Sequence, residues 1–438
     1  MHMLVRIISY SIFFCLYIYF MHTHAPLGIE WLEWHYQRLS NFIGFLNHNG
    51  YESTLGYSIW SKCTDCDLSV ENWTDNLYLS AHSLIFSPYF LIEYFFGNDG
   101  LNFLGQFLDK LIIFLCGLML SEMMVKSLRG KTLIPDILVG LTTFALFITS
   151  PWTYKMMLAG WTEIYVVLFF LAGINFFRLG HSFLGYVCFA FVSLFNLTWG
   201  IALFLFYFIY IISERSIDYN SSLKKSIFPM DITNINSKLK LFMALLLPAI
   251  LMLTFRSYAS SLFESTSGSS VLFRMGISGN DIHNGGILGA LQFLGGNRIS
   301  VCIDQAAVMQ PLTFSGITNS IIAFNCVLSI GSMLVVSILS IAFLLICIRK
   351  NSYLWAFLCP LGFAFMLLAA IFQQSFSVHL MGYSFIFAIF FASGLVLGLN
   401  FFASKISNPI LAVIFLSPII IAIISLSLRI SMTTGVNG

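Results

Sequence analysis

Two glutamates three residues apart, Glu30 and Glu33, stand in the segment Gly28-Ile-Glu-Trp-Leu-Glu-Trp-His-Tyr-Gln-Arg-Leu-Ser-Asn-Phe-Ile-Gly-Phe-Leu-Asn-His-Asn-Gly50. If 30–47 winds as a helix, Glu30, Glu33 and Gln37 share one face at i, i+3 and i+7. Trp31, His35 and Arg38 then form the neighbouring stripe. Paired carboxylates at the edge of a membrane suit a general base or a ligand for a divalent cation, because partial desolvation raises a carboxyl's pKa toward working pH. The same residues also describe an amphipathic helix lying on the interface with Trp anchors.

Other groups could hold a charged substrate. Arg38, Lys62, Lys155, Arg256, Arg274 and Arg298 are cations available to a phosphate, and each is equally of a type that snorkels at a membrane surface. His379 closes Gln373-Gln-Ser-Phe-Ser-Val-His379, a polar turn between two apolar runs that suits a substrate head group or the interface. His22-Thr-His24 has metal-compatible spacing but lacks a nameable third ligand, so no metal residue is assigned. A divalent cation at the glutamates is the one cofactor the residues leave open, and no nucleic-acid partner is expected. Glu163, at the start of a helix, is explained by the helix dipole as well as by chemistry. Asn72-Trp-Thr74 is a glycosylation sequon, meaningful only in a eukaryotic secretory context. Asn284-Gly-Gly-Ile-Leu-Gly-Ala-Leu-Gln-Phe-Leu-Gly-Gly296 is rich in glycine but matches no phosphate-binding pattern.

These residues hang on a frame that composition identifies. The 438 residues are 58% hydrophobic and only 9% charged, with a mean hydropathy of +0.88, far from the roughly 25% charged residues of soluble domains. The fold class expected is an all-α polytopic membrane protein. Apolar runs at 4–20, 108–125, 133–149, 161–177, 183–195, 199–213, 240–255, 320–347, 353–371, 381–400 and 409–428 give about eleven transmembrane helices. The runs 183–195 and 199–213 are short and split by Asn196-Leu-Thr-Trp-Gly200, which leaves a re-entrant hairpin open. Residues 84–97 read as a juxtamembrane helix.

Charge then orients the frame. With a cytosolic N-terminus, the connections facing the cytosol carry Arg6, Lys126, Arg129, Lys131, Arg178, Arg215, Lys224, Lys225, Lys238, Lys240, Arg349, Lys350 and Lys405, thirteen of the 21 basic residues. Of the 19 acids, only Glu122, Asp136, Glu214, Asp218 and Asp231 fall near that side. This satisfies the positive-inside rule. Two large loops, 21–107 and 256–319, are left on the non-cytosolic face of a single membrane-embedded domain, 1–438.

Cysteine usage divides along the same frame. Cys15, Cys116, Cys188, Cys326, Cys347 and Cys359 lie in apolar runs, where a thiol behaves as a small hydrophobe. Cys63, Cys66 and Cys302 lie in loops. Cys63-Thr-Asp-Cys66 is open to a disulfide, local or to Cys302, to free thiols, or to half a metal site.

Several short elements occur in a familiar order: Glu33-Trp-His-Tyr36, then Leu46-Asn-His-Asn-Gly50, then Phe86-Ser-Pro-Tyr-Phe-Leu-Ile-Glu-Tyr-Phe-Phe-Gly97, then Ser150-Pro151 and Gly160-Trp-Thr-Glu163. Over residues 1–180 this resembles the integral membrane glycosyltransferases of the C-type (GT-C) superfamily, which include the dolichyl-phosphate-mannose-dependent and protein mannosyltransferases. In them an external Asp-Glu-x-x-Tyr element follows the first helix. The family's Asp is Leu32 here, and Ser87-Pro88 replaces the Pro-Pro of some members without its preceding Lys.

The resemblance implies transfer of a sugar, as a hexosyltransferase would, from a polyprenyl-phosphate-linked sugar to a lipid, glycan or protein acceptor. It implies an active face on the periplasmic side of a bacterial inner membrane, among membrane lipids. Glu33, assisted by Glu30, takes the role of base or metal contact. Tyr36, Arg38, Lys155, Arg256 and Arg298 serve the donor, and His379 lies near the acceptor. The competing expectations are a transporter or flippase, an O-antigen-type polymerase or ligase of envelope glycans, and a non-catalytic membrane scaffold. Transport predicts ionisable residues buried mid-helix, of which Glu122 and Asp136 are the two weighed, both near cytosolic ends.

Overall fold

The computed structural model describes residues 2–24, 39–50, 58–59, 77–78, 87–130, 132, 134–159, 163–216, 235–262, 290–291, 293–296, 314–348, 352–371, 381–406 and 408–433. Its regular structure in these residues is helical, joined by short turns, except for a two-residue antiparallel ladder, Ser58–Ile59 against Leu77–Tyr78. In chain order the helices are α1 (His2–His24), α2 (39–49), α3 (Ser87–Gly100), α4 (Gln106–Leu128) and α5 (Asp136–Ile148). Next come α6 (Pro151–Ala159), α7 (Glu163–Arg178), α8 (Ser182–Phe195), α9 (Leu197–Ser216) and α10 (Ile235–Leu262). The last four are α11 (Phe314–Ile348), α12 (Ser352–Ile371), α13 (Met381–Ala403) and α14 (Pro409–Thr433).

Each of the eleven expected apolar runs forms a helix, and six described segments are long and apolar enough to cross a membrane. They are Met3–Thr23, Leu101–Leu128, Asn236–Ala259, Phe324–Cys347, Ser384–Ala403 and Pro409–Ser431. The chain is therefore a multi-pass membrane protein. The structure counts six such helices where the sequence led us to expect about eleven. α5, α7 and α8 are apolar, but their 13, 16 and 14 residues fall short of the roughly 20 that a perpendicular span requires.

Local chemistry sets the helix ends. α4 stops where Gly130 adopts a φ of 71°, and α7 stops ahead of Gly180 at 83°, backbone angles that suit a residue without Cβ. α6 begins in the expected manner: the Ser150 hydroxyl accepts the Thr153 amide at 3.2 Å, and Pro151 occupies the first turn. Asn196 separates α8 from α9, its side-chain oxygen accepting the amides of Thr198 and Trp199 at 3.1 and 3.3 Å. The break foreseen at Asn196 is thus a helix cap between two packed helices.

α13 is the hub. Its residues 384–399 are buried, and it packs on α5, α6, α7, α11, α12 and α14. Small residues permit that closeness. A Cβ at Gly394 would overlap the Ser340 carbonyl, and the Ser340 hydroxyl donates across to the Phe391 carbonyl at 2.9 Å. In hydrocarbon no hydrophobic force gathers helices, so such close backbone approaches hold the bundle.

At the first helix the binding is ionic. The Arg6 guanidinium forks onto Glu122 of α4 at 2.8 and 2.6 Å, both side chains buried, and Tyr10 donates to the same carboxylate at 3.3 Å. Tyr10 also stacks on Phe144 of α5, with ring centroids 5.0 Å apart. By contrast, the Arg129–Asp136 pair at 3.2 Å is exposed and adds little.

Part of the glycine-rich stretch, read as external loop, packs inside. Trp152 of α6 donates its indole N–H to the Phe293 carbonyl at 2.9 Å, and Ser337 of α11 donates to the Leu294 carbonyl at 2.8 Å. Gly295 lies where a Cβ would strike Ile330, and Gly296 has a φ of 80° against Pro151. Irregular backbone at this depth is tolerable because protein groups satisfy it. Cys326 on α11 is disulfide-bonded, which corrects its reading as a simple buried thiol.

Candidate functional site

A second buried polar group among the described residues lies where α3 meets α4 and α7. α3 bears Tyr89 and Glu93 one turn apart, at i and i+4, and therefore on one face. Phe90 beside them stacks on Phe42 of α2, with centroids 6.3 Å apart. The opposite face carries Leu91, Tyr94 and Phe95, which are 60%, 83% and 69% exposed.

After α3 the chain turns at Gly97, whose φ of 68° breaks the helix, and then passes through a π turn, Leu101–Gly105, into α4. Such turns recur at functional sites because they re-aim the side chains that follow. Asp109, in the first turn of α4, is brought back to α3, and the Tyr89 hydroxyl donates a hydrogen bond to its Oδ1. Both residues are buried, 1% and 2% exposed. A buried carboxylate is costly unless hydrogen-bonded, so this pairing is what makes Asp109 tolerable.

α7 closes the group. Tyr165 meets Tyr89 edge-to-face at 6.4 Å, stacks on Phe195 at 5.0 Å, and lies within electrostatic reach of Asp109. Glu93 is different. It is half-buried, its Oε2 is shut off from solvent, and no described residue hydrogen-bonds that oxygen. Burial pushes its carboxyl up to about 7. A carboxylate of that kind accepts a proton near neutral pH.

The residues expected from the sequence lie mostly outside the described residues. Glu30, Glu33, Tyr36, Arg38, Arg298 and His379 lie outside the described residues, as do Cys63, Cys66 and Cys302. Lys155 belongs to α6, but its side chain is outside the description. Arg256 is half-buried on α10, which packs on α8 and α9. Among the described residues no three His, Cys, Asp or Glu side chains gather where a metal ion could be held.

Sequence reading passed over Asp109, although a signal was present. An acid inside an apolar run is expensive in a membrane helix and is a functional-site candidate by default. A separate cavity of about 210 Å³ lies between α5, α13 and α14, lined by Leu138, Val396, Leu399, Val413 and Leu416 among others. It has no charged lining residue and so no means of acid–base chemistry. Compared with known proteins, the chain matches no family model, no curated protein and no solved structure.

Proposed function

We propose that the protein is a membrane glycosyltransferase that moves a sugar from a polyprenyl-phosphate donor to a lipid, glycan or protein acceptor on the non-cytosolic face. The topology in this reading is eleven spans with a cytosolic N-terminus, in a bacterial inner membrane. The observation that carries it is the Tyr89–Asp109 pair. The element Phe86–Gly97 is one of those that resemble the GT-C glycosyltransferases; its described part lies in the helix Ser87–Gly100, which sets Tyr89 and Glu93 on one face, with Tyr89 bonded to Asp109 of α4. Its other face is apolar and aromatic, as a helix lying at a lipid headgroup level would be. A donor with a lipid tail and a polar head needs both surfaces.

Orientation has a second support. Cys326 is disulfide-bonded, and disulfides persist in oxidising compartments rather than in the cytosol. In the proposed topology the N-terminal half of α11 descends from the second external loop, on the oxidising side. Glu33 and Glu30 remain in this reading as the loop's own base or metal contacts, with the phosphate met by Arg38, Lys155, Arg256 or Arg298.

The test is purified full-length protein in nanodiscs, given radiolabelled polyprenyl-phosphate glucose, mannose and galactose, with Glu33→Gln alongside. Release of polyprenyl phosphate by the wild type supports transfer. Consumption of none of the three donors removes the reading, and equal rates in Glu33→Gln remove Glu33 from the mechanism.

A further inference from the structure

α3 is built inside out for a helix in water. Three apolar or aromatic side chains, Leu91, Tyr94 and Phe95, point outward, while Glu93 is turned inward beside Tyr89. Leaving a carboxylate oxygen enclosed without a donor costs free energy. A helix rotated by half a turn would place Glu93 outside, so the observed setting has to be held by its neighbours. Tyr89, fixed on Asp109, and Phe90, stacked on Phe42, are the contacts that hold it.

Among the described residues, Tyr89 shares the helix, Asp109 meets Tyr89 from α4 with Lys110 next to it in the chain, and Tyr165 meets Tyr89 from α7. Tyr89 donates its proton to Asp109. Asp109 therefore acts as an anchor, and Glu93 is the carboxylate with an oxygen to spare.

We propose that Glu93, rather than Glu33, is the group that takes the proton from the acceptor hydroxyl in the transfer inferred above, which leaves Glu33 and Glu30 the role of metal contacts, with Tyr89 and Asp109 as positioning residues. This rests on the glycosyltransferase reading and deepens it. In the step, the acceptor oxygen forms a bond to the sugar's anomeric carbon. The bond from that carbon to the phosphate oxygen breaks, and its electron pair leaves with polyprenyl phosphate. The hydroxyl proton passes to the half-buried Glu93 carboxylate and, after the sugar has moved, from there to solvent. A carboxyl held near 7 is matched to this task.

The experiment compares wild type, Glu93→Gln and Glu93→Asp as full-length proteins in nanodiscs, with the same three labelled donors across pH 5.5–8.5 (a range of about 1.5 units either side of the expected transition). Glu93→Gln should lower the rate of polyprenyl phosphate release by about 100-fold or more and abolish the acidic limb that wild-type kcat/KM shows near pH 7. Glu93→Asp should restore part of the rate. The donor KM should change little. Thermal melting guards against misfolding, and Glu93→Gln should melt no lower than wild type at pH 8 because it removes an enclosed, unpartnered charge. Rates for Glu93→Gln within twofold of wild type, or an unchanged acidic limb, would overturn the assignment while leaving glycosyl transfer standing. A wild type that consumes no donor overturns the transfer reading and this role together.

Discussion

The hydroxyl of Tyr89 on α3 donates to the carboxylate of Asp109 on α4, twenty residues along the chain and across the turn at Gly97. One hydrogen bond thereby sets how α3 leans on the bundle and which way Glu93 faces. Tyr89→Phe removes the donor but keeps the ring and leaves Asp109 with one partner fewer. The expected cost is about 1–3 kcal/mol, the price of an under-satisfied buried acceptor. Asp109→Asn retains an acceptor and should cost less in stability. Melting in detergent, with limited proteolysis around residues 86–100, measures both. A Tyr89→Phe protein as stable as wild type would mean that the pair does not anchor α3.

Arg6 and Glu122 form a second bond between distant residues, a buried fork between α1 and α4. Beside it Tyr10 and Phe13 pack on Phe144, while the other flank of α1 is largely exposed at Leu4, Ile8, Ile12 and Leu16. Glu122→Gln leaves a buried guanidinium without its charge partner and should destabilise by about 3–5 kcal/mol. Arg6→Met combined with Glu122→Leu should recover most of that loss, since removing both ions also removes their desolvation cost. A double variant no better than the single would argue that the pair adds net stability beyond mutual neutralisation.

Much of this architecture is legible in the sequence because apolar run length and helix punctuation are local signals. The boundaries at Ser150-Pro151, Asn196 and Gly180 follow from capping chemistry that any reader of the chain can apply. A helix is found as expected within 84–97, running on over Ser87–Gly100 as α3. Contacts between distant residues are another matter. Nothing periodic connects Arg6 with Glu122 or Tyr89 with Asp109, since each pair depends on how whole helices lean together. The Gly295-Gly296 pair is conspicuous in the sequence, yet its reason is the docking of that backbone against Ile330 and Pro151. Membership of α3 in the candidate site was half legible: the motif drew notice through its resemblance, while the acid that completes it was hidden in an apolar run.

Cys326 tests the orientation of the chain. Its bonded state predicts that protein from native membranes, denatured and alkylated without reductant, leaves the Cys326 thiol unmodified. Cys116, buried and free, should be alkylated under the same denaturing conditions. Peptide mass spectrometry reads both. Full alkylation of Cys326 would remove the support that its disulfide lends to an oxidising, non-cytosolic location.

Two helical glycines give a controlled test of how α11 meets α13. Gly394 of α13 lies against the Ser340 carbonyl of α11, where a Cβ has no room because the obstacle is backbone that cannot rotate aside. Gly331 of α11 has open space where a Cβ would go. Gly394→Ala must therefore separate the two helices or distort one, at about 1–3 kcal/mol for overpacking. Loss of the Ser340 bond to the Phe391 carbonyl would add to that. Gly331→Ala relieves a flexible position and should be neutral or stabilising by up to about 1 kcal/mol. The difference between the two, measured as melting shifts in one detergent, isolates close approach from helix propensity, because both replace glycine with alanine inside a helix. Equal shifts would mean that α11 and α13 are held by something other than this small-residue contact.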